Sequence, residues 1–324
     1  MIRYIIRRFI YLIPLFFGIL IIVFVASRIA GDPVQLMTVQ NPHITAEARQ
    51  NLAEYYGLDK PLYYQFFIFI SELFQGDLGN SYALRGGIAV TTLIGDYAWL
   101  TFELQIAALF LSLLIAIPIG IISAKKQYSK LDVSVTTTSL LGTCIPVFYM
   151  GIIAIIIFAY FLGWFPAFGA HSLVAERYPF GSYELDGLWH IALPTAVLTF
   201  ATLAPVVLLV RSSMLEVLRQ DYILAARASG LSERTVIYKH ALRNALIPVV
   251  TYVGLYFGAM LAGAPVTETV FNWPGVGRLF VEATTKLDFP IIIGITVFIT
   301  LMTLIANLIT DITYGYIDPR IRLE

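Results

Sequence analysis

Long apolar runs, separated by shorter polar stretches, set the pattern of this chain. A helix needs about 20 predominantly apolar residues to cross the hydrocarbon core of a bilayer. Six runs reach that length, at residues 9–29, 99–124, 134–162, 191–209, 245–264 and 290–312. Some contain proline, which membrane helices tolerate where neighbours satisfy the freed backbone groups. The pattern predicts an all-α membrane protein with six transmembrane helices.

The composition supports a membrane protein and argues against several other classes. Hydrophobic residues make up 58% of the 324 residues and charged residues 13%, whereas about 25% of the residues in soluble domains are charged. The formal net charge is zero, so no nucleic-acid partner is expected. The single cysteine, Cys144, excludes an intramolecular disulfide. The four histidines lack metal-ligand spacing, so we expect no metal site.

The distribution of basic residues predicts the orientation. With the N-terminus inside, 14 of the 21 lysines and arginines fall on the inner side. Such a bias is the usual signature of the cytoplasmic face. We therefore expect a multi-pass protein of the cell membrane with both termini in the cytoplasm. The segment 210–244, between the fourth and fifth spans, would then also be cytoplasmic.

A further apolar stretch at residues 62–74 is too short to be a span. As a span it would reverse every later loop and turn Lys125 and Lys126 outward. Its large apolar side chains recur at steps of three or four, which favours a helix at the outer interface or packed on the bundle. Pro61 and Gly76 mark its ends. We predict a first helix in 1–30, an extracytoplasmic helical segment in 31–98 with another short helix at 45–57, and a five-helix core in 99–324.

The 210–244 segment reads as helix, glycine, helix. Six residues share one face of the first helix, Gly230 can end it in a left-handed conformation, and Ser232 can cap the second. Charge and periodicity alone favour an ordinary solvated surface loop with normal helix caps. The shared face consists of Leu215, Leu218, Tyr222, Ala225, Ala226 and Ser229.

Four ordered motifs, covering nearly the whole chain, resemble those of ABC-importer permeases. The resemblance is strongest to the B-type subunit of the oligopeptide/dipeptide permease family, and it implies the type I importer permease bundle. One motif is similar to the cytoplasmic EAA loop of that family. In chain order the motifs are YGLDKP from Tyr56 with GDLGNS from Gly76, DYILAARASGLSERT from Asp221 with HALRNALIP from His240, FNWPGVGR from Phe271, and Asn307 and Asp311 with DPRIR from Asp318.

The resemblance implies that the 210–244 segment docks on a separate ATPase subunit. Residues 225–234 would form the coupling helix. Leu224 departs from the general pattern, which has a glutamate at that position, so one polar contact with the ATPase is lost. The residues implied to contact the ATPase are Asp221, Tyr222, Ala225, Ala226, Arg227, Gly230, Leu231 and Arg234.

The resemblance also implies the partners and the cargo. The assembly would pair this chain with a second permease subunit as a heterodimer, with two ABC ATPases and an extracytoplasmic solute-binding protein. The chain has no G-x-x-x-x-G-K-[ST] phosphate loop, so the partner subunits would hydrolyse ATP, and this chain would bind no cofactor and catalyse no reaction. Di- and oligopeptides are the expected cargo, with oligosaccharides or nickel as alternatives. A secondary transporter or channel would be expected to show intramembrane charges or inverted repeats, and neither is evident.

Polar residues inside the predicted spans are candidates for the translocation pathway. Thr136, Ser139 and Thr143 share one face of the third span, and Asn307 lies in the last. Small and polar residues also mediate helix packing in membranes, so both roles are open. No serine-hydrolase elbow, H-E-x-x-H motif or intramembrane pair of acids is present, which leaves no catalytic residue to assign.

Overall fold

The computed structural model describes residues 2–30, 59–174 and 182–317, together with residues 45, 47 and 54. These ranges are helical, apart from turns and one isolated β-bridge between Asn80 and Ala89. The helices are α1 (Ile2–Ala30), α2 (Leu62–Phe74), α3 (Val90–Lys125), α4 (Lys130–Cys144), α5 (Val147–Ala154), α6 (Tyr183–Leu218), α7 (Asp221–Ala228), α8 (Glu233–Thr235), α9 (Leu242–Ala245), α10 (Ile247–Met260), α11 (Pro265–Val270), α12 (Val276–Lys286) and α13 (Phe289–Ile317); π-helical turns cover Ile155–Phe161 and Val236–Ala241.

The all-α membrane bundle is confirmed, and the predicted spans correspond to helices of unequal length. Within the described residues, α1, α3, α6 and α13 are long and apolar enough to cross a bilayer. The predicted third span is instead two helices, Lys130–Cys144 and Val147–Phe161, bent by 97°. They count as a fifth span if taken together. The predicted fifth span forms α10, which has only 14 residues.

Proline explains the break in the predicted third span and the position at which α10 begins. Pro146 has no N–H and disfavours a helical conformation at the preceding residue. Ile145 is accordingly extended, with φ −83° and ψ 123°, and the helix breaks there. Pro248 lies in the first turn of α10, where a missing N–H costs nothing. The proline thereby starts a new helix instead of continuing α9.

Close packing of α3 against α6 forms the centre of the bundle. Gly120 of α3 makes this approach possible, because a Cβ there would lie 2.6 Å from Cγ1 of Val210. Around this contact the buried apolar side chains form one cluster, which includes Ala116, Ile121 and Val207. The cluster continues beyond α6 into α7 and the π-helical turn Val236–Ala241.

The short helix α2 packs on the bundle, which is one of the two arrangements predicted for it. Phe24 of α1 contacts the rings of Phe66 and Phe69, with centroids 5.3 and 5.8 Å apart. The helix begins after Pro61, and Gly76 follows its end with φ +78°, so both predicted ends are confirmed. The predicted helix at 45–57 lies outside the described residues except for isolated positions.

Candidate functional site

The 210–244 segment follows the predicted order of helix, glycine, helix. The first helix is interrupted at Arg219–Gln220, between α6 and α7. Gly230 then turns the chain with φ +77°, and its N–H donates to the carbonyl of Arg227 at 3.0 Å. A residue with a Cβ would be strained in this left-handed conformation by about 1–2 kcal/mol. Gly230 is therefore needed for the turn itself.

Side-chain bonds hold the turn in shape. Ser232 caps α8 by accepting from the N–H of Thr235 at 3.3 Å, which confirms the predicted cap. Arg227 donates to both carboxylate oxygens of Glu233, at 3.2 and 2.9 Å. This guanidinium holds the pKa of Glu233 below its ordinary value. Two sides of the turn are thus joined across Gly230.

Apolar side chains anchor the segment to the bundle. Ile223 of α7 and Val236 are fully buried, and they join the same cluster as Val210 and Met214 of α6. Ala226 is half-buried against this cluster. The segment therefore moves with α6, because separating them would expose these side chains to water.

Of the eight residues predicted to contact an ATPase, all except Ala226 are exposed. Tyr222 and Leu231 are 42% and 41% exposed, and Arg227 and Arg234 are exposed on the same segment. Leu224, which stands where the general EAA pattern has a glutamate, is 55% exposed on the same segment. An exposed apolar surface rimmed by charge is typical of a protein interaction site. We call this surface, formed by Asp221, Tyr222, Leu224, Ala225, Arg227, Gly230, Leu231 and Arg234, the docking surface.

The pathway candidates in α4 lie in different surroundings. Ser139 is buried and shares a face with Gly142, which packs against Phe200 of α6. The hydroxyl of Thr136 is buried and has no hydrogen-bond partner among the described residues. Thr143 is exposed, and its hydroxyl donates to the carbonyl of Leu140. The three residues therefore do not form one open polar stripe within this chain.

Asn307 lies where α13 crosses α10. Its Oδ1 is 3.2 Å from the position that a Cβ would take on Gly258. Thr303 donates to the carbonyl of Gly258 at 3.0 Å, and Thr310 packs on Gly254 in the same way. Small residues four apart commonly let membrane helices approach closely. Asn307 is thus placed in a helix contact; the side chain of Asp311 lies outside the described residues.

An ion pair between the buried Asp132 and the partly buried Arg211, at the start of the 210–244 segment, was missed in the sequence. Both carboxylate oxygens of Asp132, at the start of α4, accept from Arg211 of α6, at 2.5 Å from Nε and 2.8 Å from Nη2. Ser123 at the end of α3 donates to the same carboxylate at 2.5 Å, and the N–H of Tyr128 donates at 2.9 Å. We call this arrangement the α4–α6 clasp. The sequence shows charged residues near the ends of the predicted spans, but no local pattern indicates which of them form a pair.

Two other buried carboxylates organise the opposite end of the bundle. Glu268 accepts from the hydroxyl of Thr101 at 3.0 Å and from the N–H of Arg278 at 2.9 Å. Asp288 accepts from Ser81 at 2.7 Å and from the N–H groups of residues 83 and 84, both at 2.9 Å. These bonds tie the FNWPGVGR and GDLGNS motifs to the helices beside them. Both motifs therefore have a structural role within this chain.

The long apolar helices and their close-packed centre define a helical membrane protein, and the exposed docking surface has the character of a protein interaction site. Comparison with known families agrees. Residues 116–323 match the family described as "Binding-protein-dependent transport system inner membrane component". The chain belongs to this family, and it is a multi-pass membrane protein.

Curated relatives align over nearly the full length of the chain. The oligopeptide transport system permease protein AppB of Bacillus subtilis is 42% identical over 322 residues. The di/tripeptide transport system permease protein DppB of Pseudomonas aeruginosa is 40% identical, and the dipeptide transport system permease protein DppB of Escherichia coli K12 is 36% identical, each over 339 aligned positions. Each alignment covers 99% of both chains.

A solved structure supports the fold. The MetNI methionine ABC transporter, in an inward-facing conformation, matches with a TM-score of 0.53. The match covers 70% of this chain and 96% of that one, at 15% identity. The likeness confirms the type I importer permease fold expected from the sequence.

Proposed function

We propose that this chain is a transmembrane permease subunit of an ATP-driven importer of di- and oligopeptides. The full-length relatives are named as permeases for dipeptides, tripeptides or oligopeptides, which supports peptides over the oligosaccharide and nickel alternatives. The observation that carries the proposal is the docking surface, because it is exposed, partly apolar and firmly attached to a membrane-spanning helix. Such a surface can receive force from another protein and pass it into the bundle.

The energy for import comes from separate subunits. The chain contains no phosphate-binding loop of the P-loop type, so ATP binding and hydrolysis take place on two ABC ATPases. The ATPases engage the docking surface, and their closure changes the relative stability of two access states of the bundle. The chain itself binds no cofactor in this scheme.

The docking surface faces the cytoplasm, with both termini on the same side. The excess of lysine and arginine on that side supports this orientation. A second, non-identical permease subunit completes the translocation pathway, and a solute-binding protein delivers the peptide from the opposite side. The domain division at residues 30 and 98 separates the first helix and the extracytoplasmic segment from the core.

The docking role is tested with charged substitutions on its apolar part. Leu224→Arg and Leu231→Arg are each expected to abolish co-purification of the ATPases and ATP-dependent uptake of a labelled tripeptide into proteoliposomes. Leu173→Arg is the matched control, because Leu173 is fully exposed in a loop far from the docking surface along the chain, and the ATPases should be retained. Full retention of the ATPases by both docking variants would rule the proposal out.

A further inference from the structure

The α4–α6 clasp joins the end of α3, the start of α4 and the side of α6 through one buried carboxylate. Asp132 is 2% exposed, and its two oxygens take four donors, from Arg211, Ser123 and the backbone of Tyr128. Tyr128 adopts φ +63° to supply its N–H, an uncommon conformation for a residue with a bulky side chain. The chain thus accepts local strain to complete this arrangement.

Stability alone gives little reason for an ion pair at this place. Desolvating the carboxylate of Asp132 costs several kcal/mol, whereas the guanidinium side chain of Arg211 stays 20% exposed. Well-packed apolar residues often serve a core equally well. The neighbouring cluster, with Ala124, Val210 and Met214, is already apolar. What two parallel N–H···O bonds add is a fixed direction and distance between the two helices.

The clasp lies between the docking surface and the bent helix. Arg211 is seven residues from the end of α6 at Leu218, or about 10 Å along the axis at 1.5 Å per residue. Asp132 is in the first turn of α4, whose far end is the break before Pro146. Beyond the break, α5 packs through Gly151 on Phe271, at the end of α11. A displacement of α6 can therefore be transmitted to α4.

We propose that the α4–α6 clasp is the linkage through which movement of the docking surface reaches the bent helix pair α4–α5 during transport. Asp132 and Arg211 are positioning residues in this role, and they need not touch the transported peptide. The inference rests on the proposed function, since it assumes that an ATPase moves the docking surface. It goes further by naming the connection between that surface and the membrane helices.

The ratio of peptide imported to ATP hydrolysed tests the linkage. The measurement uses the complete complex in proteoliposomes, with Arg211→Lys and Asp132→Asn in this chain. Both variants weaken the two-bond geometry, so the ratio is expected to fall by about fivefold or more, the lower range of coupling between sites, while ATP hydrolysis continues. Arg219→Lys is the control, because among the described residues the side chain of Arg219 makes one long bond of 3.5 Å, to Gln127, and its ratio should equal that of the wild type.

An apolar replacement separates linkage from folding. The double variant Asp132→Leu with Arg211→Met fills the site with side chains of similar size and removes the directional bonds. We expect it to insert, assemble and hydrolyse ATP, but with the same loss in the ratio. A purely structural clasp would instead give normal transport in every variant that folds, and that result would overturn the proposal.

A distance measurement on the intact clasp covers the case in which the variants do not fold. Spin labels at Leu131→Cys and Ser212→Cys, both exposed positions, are introduced with Cys144→Ser. The distance between the labels should be the same without nucleotide and with ATP trapped, because the clasp makes α4 and α6 move together. A change in this distance between the two states would refute the linkage. Failure of the unmodified complex to import peptide would count against the proposed function instead.

Discussion

Gly120→Ala is expected to separate the two central helices. A Cβ on Gly120 would lie 2.6 Å from Cγ1 and 2.7 Å from Cβ of Val210, whereas carbon atoms pack best at about 3.5–4.0 Å. The new methyl group is therefore about 1 Å too close. Side-chain rotation cannot relieve the contact with Cβ, and the backbone N of Arg211 is also only 3.2 Å away. Overpacking of this kind costs about 1–3 kcal/mol.

The matched control is Gly95→Ala in the same helix. Gly95 has no atom of the described residues within 4 Å of its added Cβ, so only the helix preference of alanine remains, worth about 0.5–1 kcal/mol in favour of folding. Thermal unfolding of the purified permease complex in detergent, followed by tryptophan fluorescence, measures the difference. We expect a lower Tm for Gly120→Ala and an equal or higher Tm for Gly95→Ala. Equal Tm values for Gly120→Ala and the wild type would refute the packing argument.

Three further predictions concern single side chains, each measured by unfolding of the purified protein. Glu268→Gln should lower the free energy of unfolding by about 1–3 kcal/mol. The NH2 group of glutamine would replace a carboxylate oxygen that accepts a hydrogen bond, and it would then face another donor. Unchanged stability would contradict the bonding described above. Ile223→Ala should cost about 2–5 kcal/mol, and Leu224→Ala, on the exposed side of the same helix, should have little effect; similar losses for both would show that α7 is not anchored through Ile223. Arg227 lowers the pKa of Glu233. The stability that the pair contributes should therefore be constant from pH 8 to pH 5 and disappear only as the pH falls through this lowered pKa. A Tm difference between wild type and Glu233→Gln that vanishes already by pH 6 would be inconsistent with this pairing.

Local features of the docking segment could be predicted because a few neighbouring residues determine them. Gly230 adopts the left-handed conformation and Ser232 caps the following helix, as their side chains require. The interruption at Arg219–Gln220 could not be predicted, since neither residue breaks helices by itself. It is explained by the packing of Ile223 into the core cluster, which requires α7 to leave the axis of α6.

The pathway candidates show where periodicity reaches its limit. Thr136, Ser139 and Thr143 do recur at helical spacing, but the spacing does not show which side of α4 faces α6. The packing of Gly142 on Phe200 decides this and buries Ser139 beside it. In the proposed function the open faces of this chain meet a second permease subunit, and the assignment of these residues to a pathway remains a prediction.

The sequence by itself determined that the chain crosses a membrane, which family it belongs to, and where glycine, serine and proline turn or end helices. These properties depend on composition and on contacts within a few residues. Only the tertiary structure decided that Asp132 meets Arg211 and that Glu268 meets Thr101, since these partners lie 79 and 167 residues apart. It also decided the 97° angle between α4 and α5. Proline can break a helix, but the direction taken by the next helix depends on the surfaces available for packing.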